Sequence, residues 1–168
     1  MNNAQLINQD SGDYEYYTPI EIVDAAREVM GSIDYDPFSS YEANKRIKAG
    51  QYVCKEVNGL KQSWYGNVWM NHPFSRNNNK PCIEMFVEEY ELGDVEQACC
   101  ITFAATSEKW FQPLLNYPQC YLSPRTNYYL PDGTLKKGVT KGSVVTYLGY
   151  NVDKFIEVFD GKFGKVKI

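Results

Sequence analysis

Histidine is almost absent from this chain, and cysteine is not arranged for metal binding. The 168 residues contain one histidine, His72, and five cysteines without a CxxC spacing. A structural zinc site needs four nitrogen or sulfur ligands, commonly in closely spaced pairs, so we expect no metal site. A cysteine nucleophile would have only His72 as its base. Cys54, Cys99 and Cys100 lie in apolar, strand-like runs, which predicts reduced, mostly buried thiols in a cytosolic protein.

Long apolar runs and an excess of positive charge are also missing. No run approaches the roughly 20 apolar residues of a membrane span, and the polar start lacks the pattern of a signal peptide. The net charge of −4 gives no general attraction to nucleic acid, so DNA binding would need a local basic patch. Three candidate patches, each of which is more commonly a solvated surface, are residues 45–48, residues 76–80, and Lys136 and Lys137 with Lys141.

The length of the chain suits one domain with one sizeable core. Residues 1–13 are polar, and we expect them to form a flexible segment before a single domain over residues 14–168. No internal repeat and no linker-like composition divides that domain.

The hydrophobic pattern predicts alternating helices and strands. The first helix has Thr18 as its N-cap and Pro19 at its first position, and it ends at Gly31. Residues 98–104 form a continuous apolar run, typical of a strand buried on both faces of a parallel sheet. Further helices are predicted at 82–92 and at 107–115, the latter with Ser107 as cap, and one helical turn is predicted within 41–50. Strands are predicted at 32–35, 51–54, 67–70, 119–122 and 143–148. A short element is predicted at 154–159, and a turn at 131–134 in a hairpin or a flexible loop. The alternation indicates an α/β fold with a mostly parallel sheet.

The stretch Asn71-His72-Pro73-Phe74 follows the predicted strand at 67–70 directly. Ligands of open α/β sheets bind outside the carboxyl ends of the strands. There the Asn71 oxygen and the next carbonyl can accept hydrogen bonds from an exocyclic amino group, and an aromatic ring can stack on a planar base presented outside its duplex. The alternative is an ordinary Asn-Xaa-Pro turn with Phe74 in the core.

Three segments stand in order along the chain: Tyr17-Thr18-Pro19, then Asp36-Pro37-Phe38-Ser39-Ser40, then Asn71-His72-Pro73-Phe74-Ser75. This set resembles the small phage and prophage family of Dam-type DNA N6-adenine methyltransferases. The resemblance covers about residues 14–161 and includes residues 58–64 and the pair Trp110-Phe111. It implies a Rossmann-like, S-adenosylmethionine-dependent methyltransferase fold with helices on both faces of the sheet.

The resemblance also implies roles for the Asn-His-Pro-Phe residues. Asn71 and the His72 carbonyl would hold the amino group of adenine in DNA while it attacks the methyl group of S-adenosylmethionine. Pro73 would fix the turn, and Phe74 would stack on the flipped base. No strong base is required, so positioning and electrostatics would carry the catalysis.

The first two segments would bind the cofactor. The family places a Thr-Pro segment against the methionine part of S-adenosylmethionine, which maps to Thr18 and Pro19 beside Tyr17. Asp36, with Pro37 and Ser39, would receive the cofactor's ammonium group directly or through water. Asn58 maps weakly to the residue that contacts the cofactor's adenine. Without the resemblance, Thr18-Pro19 is equally a helix cap, and Asp36-Pro37 is equally a turn.

A separate target-recognition domain of about 80–100 residues would not fit into this length. We therefore expect loops at 75–81 and 124–142 to contact double-stranded DNA, and the candidate contacts are Ser75, Arg76, Lys80 and Arg125. A bacterial host cytoplasm and a phage or prophage origin follow from the resemblance.

The chain departs from the family pattern at two places. The glycine-rich cofactor loop of many methyltransferases is absent, so residues 36–40 would replace it. His72 replaces the usual first proline. Because His72 precedes Pro73 it is restricted to extended geometry and keeps its carbonyl acceptor. A role of its imidazole as a base or a phosphate contact is the alternative. Methylation of cytosine N4 or of RNA, or a catalytically weak binding protein with this fold, are the competing functions.

Overall fold

The protein is described from a computed structural model, over residues 16–136 and 138–168. The predicted flexible segment 1–13, Tyr14 and Lys137 lie outside these residues. Within them the chain forms helices α1 (Ile20–Met30), α2 (Tyr41–Ile47), α3 (Arg76–Glu91) and α4 (Val152–Phe159), and strands β1 (Tyr35–Asp36), β2 (Gln51–Tyr52), β3 (Gly66–Met70), β4 (Val95–Phe103), β5 (Gln119–Leu122), β6 (Ser143–Leu148) and β7 (Gly164–Lys167). Two 3₁₀ helices span Gly59–Lys61 and Lys109–Asn116.

The described strands form one seven-stranded sheet in the order β2-β1-β3-β4-β6-β5-β7. β1 pairs in parallel with β2 and β3, and β3 pairs in parallel with β4. The pairings β4–β6, β6–β5 and β5–β7 are antiparallel. The prediction of a mostly parallel sheet is therefore wrong: the sheet is mixed, and more of its residue pairs are antiparallel than parallel. The apolar run in β4 indicates that this strand is buried on both faces of the sheet. Helices on both faces bury it equally well whether the neighbouring strand is parallel or antiparallel.

Strand direction follows from these pairings. Because β6 runs opposite to β4 and β5 runs opposite to β6, strands β1 to β5 all point the same way. β6 and β7 run against them. The carboxyl ends of β1, β3 and β4 consequently meet at one edge of the sheet, which is the edge where the Asn71 turn begins.

Each face of the sheet carries its own apolar core. Along β3, Trp69 belongs to the core under α1 and α4, whereas Val68 and Met70 belong to the core under α3. β4 repeats this alternation with Cys99 on the first face and Cys100 on the second. Side chains that alternate in this way are the two faces of one strand, each covered by a helix layer.

Helix starts differ from the sequence prediction. Pro19, not Thr18, is the N-cap of α1, and Thr18 does not cap the helix with its side chain, because the ψ of 134° at Pro19 keeps the chain extended there. α3 begins at Arg76, six residues before the predicted start at Cys82. Asparagine is a poor helix former and Pro81 lacks an amide donor, so the sequence pattern concealed these first turns. Glu108 rather than Ser107 precedes the 3₁₀ helix Lys109–Asn116, which was predicted as an α-helix.

Several shorter elements also differ in extent. Residues 41–50 contain α2, two turns long, whose cap Ser40 accepts a hydrogen bond from the Ala43 amide at 3.0 Å. The strands predicted at 32–35 and 51–54 are reduced to β1 and β2. The short element at 154–159 is α4, and β7 was not predicted. β5 and β6 have the predicted bounds.

The turn at residues 131–134 closes a hairpin, which was one of its two predicted forms. Tyr129 bridges Leu135 in antiparallel fashion, and the Leu130 amide donates to the Thr134 carbonyl at 2.8 Å. Tyr129 also exchanges backbone hydrogen bonds with Tyr17 at 2.7 and 2.9 Å. The hairpin is therefore attached to the segment that precedes α1.

A buried polar network joins the elements at the opposite edge. Gln97 on β4 donates to the carbonyl of Met30 at 3.1 Å and accepts from the Tyr147 hydroxyl at 2.6 Å. Asn67 on β3 donates to the same Met30 carbonyl at 3.0 Å, and the Asn151 amide donates to the Tyr147 oxygen at 2.9 Å. The network fixes the end of α1 and the start of α4 to the central strands.

Among the residues described, no helix has both the length and the apolar character needed to cross a membrane.

We expect Gln97→Leu to destabilise the protein by about 1–3 kcal/mol, because it leaves the buried Tyr147 hydroxyl without its acceptor. Urea unfolding followed by circular dichroism measures the change. Gln62→Leu is the matched control, since Gln62 is only partly buried and the hydrogen bond from its side chain to the Val57 carbonyl is long, at 3.4 Å. An equal loss in both variants would contradict a special role for the network.

Candidate active site

Strands β1 and β3 are neighbours, and both end at the same edge of the sheet. Tyr35 of β1 is in register with Val68 of β3. The chain leaves β1 toward β2 on one side and returns to β3 on the other, so the strand order changes direction between them. Such a switch point opens a crevice at the carboxyl ends of the strands. A cavity of about 370 Å³ lies here, within the usual size range of small-molecule sites.

All four residues of the Asn-His-Pro-Phe turn line this cavity. Asn71 Nδ2 donates a hydrogen bond of 2.7 Å to the Tyr16 carbonyl. A carbonyl can only accept, so this bond fixes which end of the amide faces Tyr16. The acceptor Oδ1 faces away from Tyr16, and no described residue donates to it.

His72 is 2% exposed and neutral in its surroundings. Its Nε2 lies 2.8 Å from Asn79 Oδ1, an acceptor, so Nε2 carries the ring proton. Nδ1 is buried and has no hydrogen-bond partner among the described residues. Burial lowers the pKa of His72 to about 4, against the opposing hydrogen bond that Nε2 donates to Asn79. A buried imidazole with this pKa is a weak base at neutral pH and does not suit a phosphate contact.

Phe74 is 7% exposed and belongs to an aromatic cluster. Its ring centroid lies 4.8 Å from that of Phe103, 5.7 Å from that of Tyr128 and 5.2 Å from that of His72. Phe74 is therefore both a core residue and part of the cavity wall, and the two readings of the sequence do not exclude one another.

The predicted cofactor residues near the start of the chain divide into two groups. Tyr17 and Thr18 line the cavity, whereas Pro19 does not. Thr18 is 6% exposed, and its Oγ1 is buried without a hydrogen-bond partner among the described residues. An unpaired buried hydroxyl costs about 1–3 kcal/mol, which is a reason to expect a partner at this position.

Asp36, like His72 and Thr18, is a buried polar group without a full set of partners among the described residues. Its Oδ1 accepts from the Phe38 amide at 3.1 Å, and its Oδ2 has no partner among the described residues. Burial raises the pKa of Asp36 to about 7, although hydrogen bonds from Phe38 and the Ser39 hydroxyl oppose the rise. Asp36 lies behind the cavity wall, whereas Pro37 and Ser39 form part of that wall.

Asn58 lines the cavity from the turn before the first 3₁₀ helix. Its φ is 67°, and its Oδ1 accepts from the Leu60 amide at 3.1 Å. The next residue, Gly59, touches the β1 turn: a Cβ atom there would lie 2.0 Å from the Pro37 carbonyl oxygen. Only glycine permits this approach, which holds the two cavity-lining turns together.

The predicted DNA contacts lie away from the cavity wall. Arg76 and Lys80 are exposed on the first turns of α3, so residues 75–81 are largely helix rather than the expected loop. Ser75 is buried as the N-cap of α3. Arg125 is exposed, and its Nη1 donates to the Val139 carbonyl at 3.3 Å.

Sequence reasoning missed more than half of the cavity wall. The missed residues come from α2, from the stretch after β2 and from α3: Ala43, Arg46, Ile47, Val53, Cys54, Lys55, Asn78 and Cys82, together with Tyr16, Ile20, Val23, Phe38, Gly59 and Leu60. Arg46 had a signal, since it belongs to the basic run 45–48, but that run was interpreted as a candidate DNA patch. Phe38, Gly59 and Leu60 lie within segments that carry the resemblance but were given no role of their own, and the remaining residues carry no local motif.

The thiols are unpaired, as expected. Cys82, Cys99, Cys100 and Cys120 are buried and Cys54 is half-buried, with no disulfide among them. Burial raises the pKa of the Cys82 thiol to about 12, so a role as nucleophile is not favoured.

The geometry is that of an α/β protein with a cavity of small-molecule size at the carboxyl ends of its strands, lined by amide and carbonyl acceptors. The model of the DNA N-6-adenine-methyltransferase (Dam) family matches residues 6–123, well over half of the chain. No curated protein and no solved structure matches the chain. The chain belongs to the DNA N-6-adenine-methyltransferase family, and it is an S-adenosylmethionine-dependent enzyme that methylates adenine in DNA.

We expect Asp36→Asn to stabilise the protein at pH 8. The carboxyl has a pKa of 3.8 when exposed and about 7 when folded, so the folded state binds its proton more tightly. Its contribution to stability therefore falls as pH rises from about 4 to about 7, and the unfavourable free energy above pH 7 is on the order of 4 kcal/mol. Thermal unfolding at pH 5 and pH 8 measures this difference. A higher Tm than wild type at pH 8, with a smaller gain at pH 5, is the expected result, and a lower Tm at pH 8 would contradict it.

Proposed function

We propose that Asn71 Oδ1 and the His72 carbonyl hold the exocyclic amino group of the target adenine. The observation that carries this proposal is the 2.7 Å bond from Asn71 Nδ2 to the Tyr16 carbonyl. It orients the amide so that its acceptor is directed away from Tyr16, in a residue that lines the cavity. Two acceptors on one amino group draw electron density toward its nitrogen as positive charge develops there.

The reaction divides between the cofactor and the chain. S-adenosylmethionine, when bound, supplies an electrophilic methyl group. The chain's residues hold the amino nitrogen in line with that group and exclude water, which is where most of the rate enhancement would arise. No strong base is required, because the nitrogen becomes acidic only as it is alkylated. The low pKa of His72 fits a role for its carbonyl rather than its imidazole.

The target adenine would reach this site flipped out of double-stranded DNA. Phe74 would contact the base with the exposed part of its ring while Phe103 and Tyr128 hold it from behind. Pro73 fixes the turn between the two acceptor residues. Because the aromatic cluster locks the ring, little side-chain entropy would be lost when the base binds.

The cavity fits a cofactor that carries both polar and apolar groups. The Thr18 hydroxyl and Asp36 Oδ2 are buried polar atoms without partners among the described residues. We assign the methionine part of S-adenosylmethionine to this end of the cavity, with Tyr17 and Thr18 on one side, while Pro19 follows them outside the cavity wall. Asp36 would attract the ammonium group through the Ser39 hydroxyl, beside Pro37.

The adenine of the cofactor would lie near Asn58. The Asn58 oxygen already accepts from the Leu60 amide, so the side chain offers its amide nitrogen, a donor. A donor suits a ring nitrogen of adenine rather than its amino group. Phe38 and Leu60 line the same part of the cavity and supply apolar contact. A strand order that changes direction between β1 and β3 supports the Rossmann-like reading of this half of the sheet.

DNA would bind over the exposed cations near the Asn71 turn. Arg76 and Lys80 on α3 lie close to the turn in sequence, Ser75 begins the helix, and Arg125 precedes the hairpin. These residues would contact phosphate groups. Unpaired cysteines and a DNA substrate support action in the cytoplasm of a bacterial cell.

We expect Asn71→Ala to reduce methyl transfer about 100- to 1000-fold while the affinity for S-adenosylmethionine stays within about twofold. The alanine removes an acceptor from the amino group but leaves the cofactor part of the cavity intact. The measurement is formation of N6-methyladenine in unmethylated DNA, identified by nucleoside analysis. Asn116→Ala is the control, because Asn116 is an exposed asparagine at the end of the second 3₁₀ helix, outside the cavity wall and the expected DNA contacts. Near-normal turnover of Asn71→Ala would remove the catalytic assignment.

We expect Asp36→Asn to weaken S-adenosylmethionine binding about 10- to 100-fold at pH 8. Binding of the ammonium group favours the ionised carboxyl, whose pKa is about 7 in the free protein. Wild-type affinity should therefore rise as pH increases through 7, and the affinity of Asp36→Asn should not. Calorimetric titration at pH 6 and pH 8 tests both statements. Equal pH dependence in the two proteins would place the ammonium group elsewhere.

A further inference from the structure

The charged residues of the cavity wall are unbalanced. Arg46 and Lys55 line the cavity, and no aspartate or glutamate is among the described lining residues. The guanidinium of Arg46, in a wall whose described residues include no carboxylate, favours a ligand that brings an anionic group.

Arg46 is held in a fixed position. Its guanidinium carbon lies 5.7 Å from the centroid of the Tyr17 ring and 5.3 Å from that of Tyr129. Contacts of this kind with two rings restrain a side chain that otherwise has many rotamers. A restrained guanidinium loses less conformational entropy when it binds a ligand.

The charge of Arg46 is not neutralised by a carboxylate of the described residues. Its neighbour Lys45 forms an ion pair with Glu42 of the same helix, with an Nζ–Oε1 distance of 2.9 Å. A place in the last turn of α2 favours any cation, because carbonyl groups end the helix there. Lys45 satisfies that preference equally well, so helix electrostatics do not explain why Arg46 faces the cavity.

From these observations we infer that Arg46 binds the carboxylate of the methionine part of S-adenosylmethionine. The inference rests on the proposed cofactor site. The carboxylate is the one anionic group of that cofactor, and a guanidinium can bind it through two parallel hydrogen bonds. Asp36 and Arg46 would then recognise the ammonium and the carboxylate respectively. Tyr17 and Tyr129 act as positioning residues, since they hold the guanidinium and have no charge of their own.

A second consequence concerns specificity. A ligand with the ammonium and the methylated sulfur but without the carboxylate would lose the contact with Arg46. Decarboxylated S-adenosylmethionine is such a ligand, and it differs from the cofactor at this one group. It therefore isolates the carboxylate contact in the way that a mutation isolates one side chain.

The test is calorimetric titration of wild type and four variants, Arg46→Gln, Arg46→Lys, Lys45→Gln and Lys55→Gln, with both ligands. Wild type should bind S-adenosylmethionine about 10- to 100-fold more tightly than the decarboxylated ligand. Arg46→Gln should bind both ligands with the weaker affinity, so its discrimination disappears. Arg46→Lys, which keeps the charge without the two parallel donors, should retain part of it. Lys45→Gln, which removes one positive charge from the same helix, should discriminate as wild type does. Thermal unfolding of each protein shows that it is folded.

Each other outcome has a definite meaning. If Arg46→Gln discriminates between the ligands as strongly as wild type, the inference is overturned while the cofactor site stands. If instead Lys55→Gln loses discrimination, the carboxylate lies at Lys55. If Arg46→Gln keeps its cofactor affinity but binds a DNA duplex more weakly, Arg46 contacts a phosphate group. If wild type binds neither ligand, the proposed cofactor site itself is wrong.

Discussion

The parallel pairing of β3 with β1 on one side and with β4 on the other is the constraint on which the site depends. It brings the carboxyl ends of three strands to one edge, so Asp36 and Asn71 become neighbours although 35 positions separate them in the sequence. β3 can hold this central place because Val68, Trp69 and Met70 are fully buried on alternate faces. A polar substitution at any of the three would loosen the core on the face where that side chain lies.

Polar groups at the site are buried at a cost in stability, which is typical of groups retained for function. Among the described residues, one carboxyl oxygen of Asp36, the Thr18 hydroxyl and one ring nitrogen of His72 have no hydrogen-bond partner, and the pKa of Asp36 is raised. The polar network around Gln97, by contrast, is well connected. The two edges of the sheet therefore differ. At the Gln97 edge the buried polar groups bond to one another, whereas at the Asn71 edge some of them are left for a ligand.

The sequence correctly predicted elements whose bounds depend on neighbouring residues alone. β5 and β6 have the expected bounds, and α1 ends at Gly31, whose φ of 89° requires a residue without a Cβ. The first turns of α3 were not predicted, because asparagines have low helix propensity and Pro81 lacks an amide donor. The antiparallel half of the sheet was missed because an apolar run reports burial and not the direction of the neighbouring strand.

The residues of the candidate site are likewise of two kinds: those that a local motif predicts, and those that only folding brings together. Asn71 to Phe74 could be identified because the amide, the carbonyl and the ring are consecutive in the sequence. Arg46 could be seen as a cation but not as part of a cavity. Its position depends on Tyr17 and Tyr129, which are far apart in sequence and are joined only by folding. Contacts of this kind have no periodicity that a single sequence could display.

The bridge between Tyr17 and Tyr129 also bears on how so short a chain can serve both DNA and cofactor. Residues 124–142 were expected to contact DNA, yet Tyr129 of this stretch packs on Arg46 in the cavity wall. Tyr16, next to Tyr17, orients Asn71 through its carbonyl. A ligand that fixes Arg46 would thus restrain the hairpin and the segment that holds Asn71. The hairpin is linked to the cavity wall through Arg46 and to the Asn71 turn through the segment before α1.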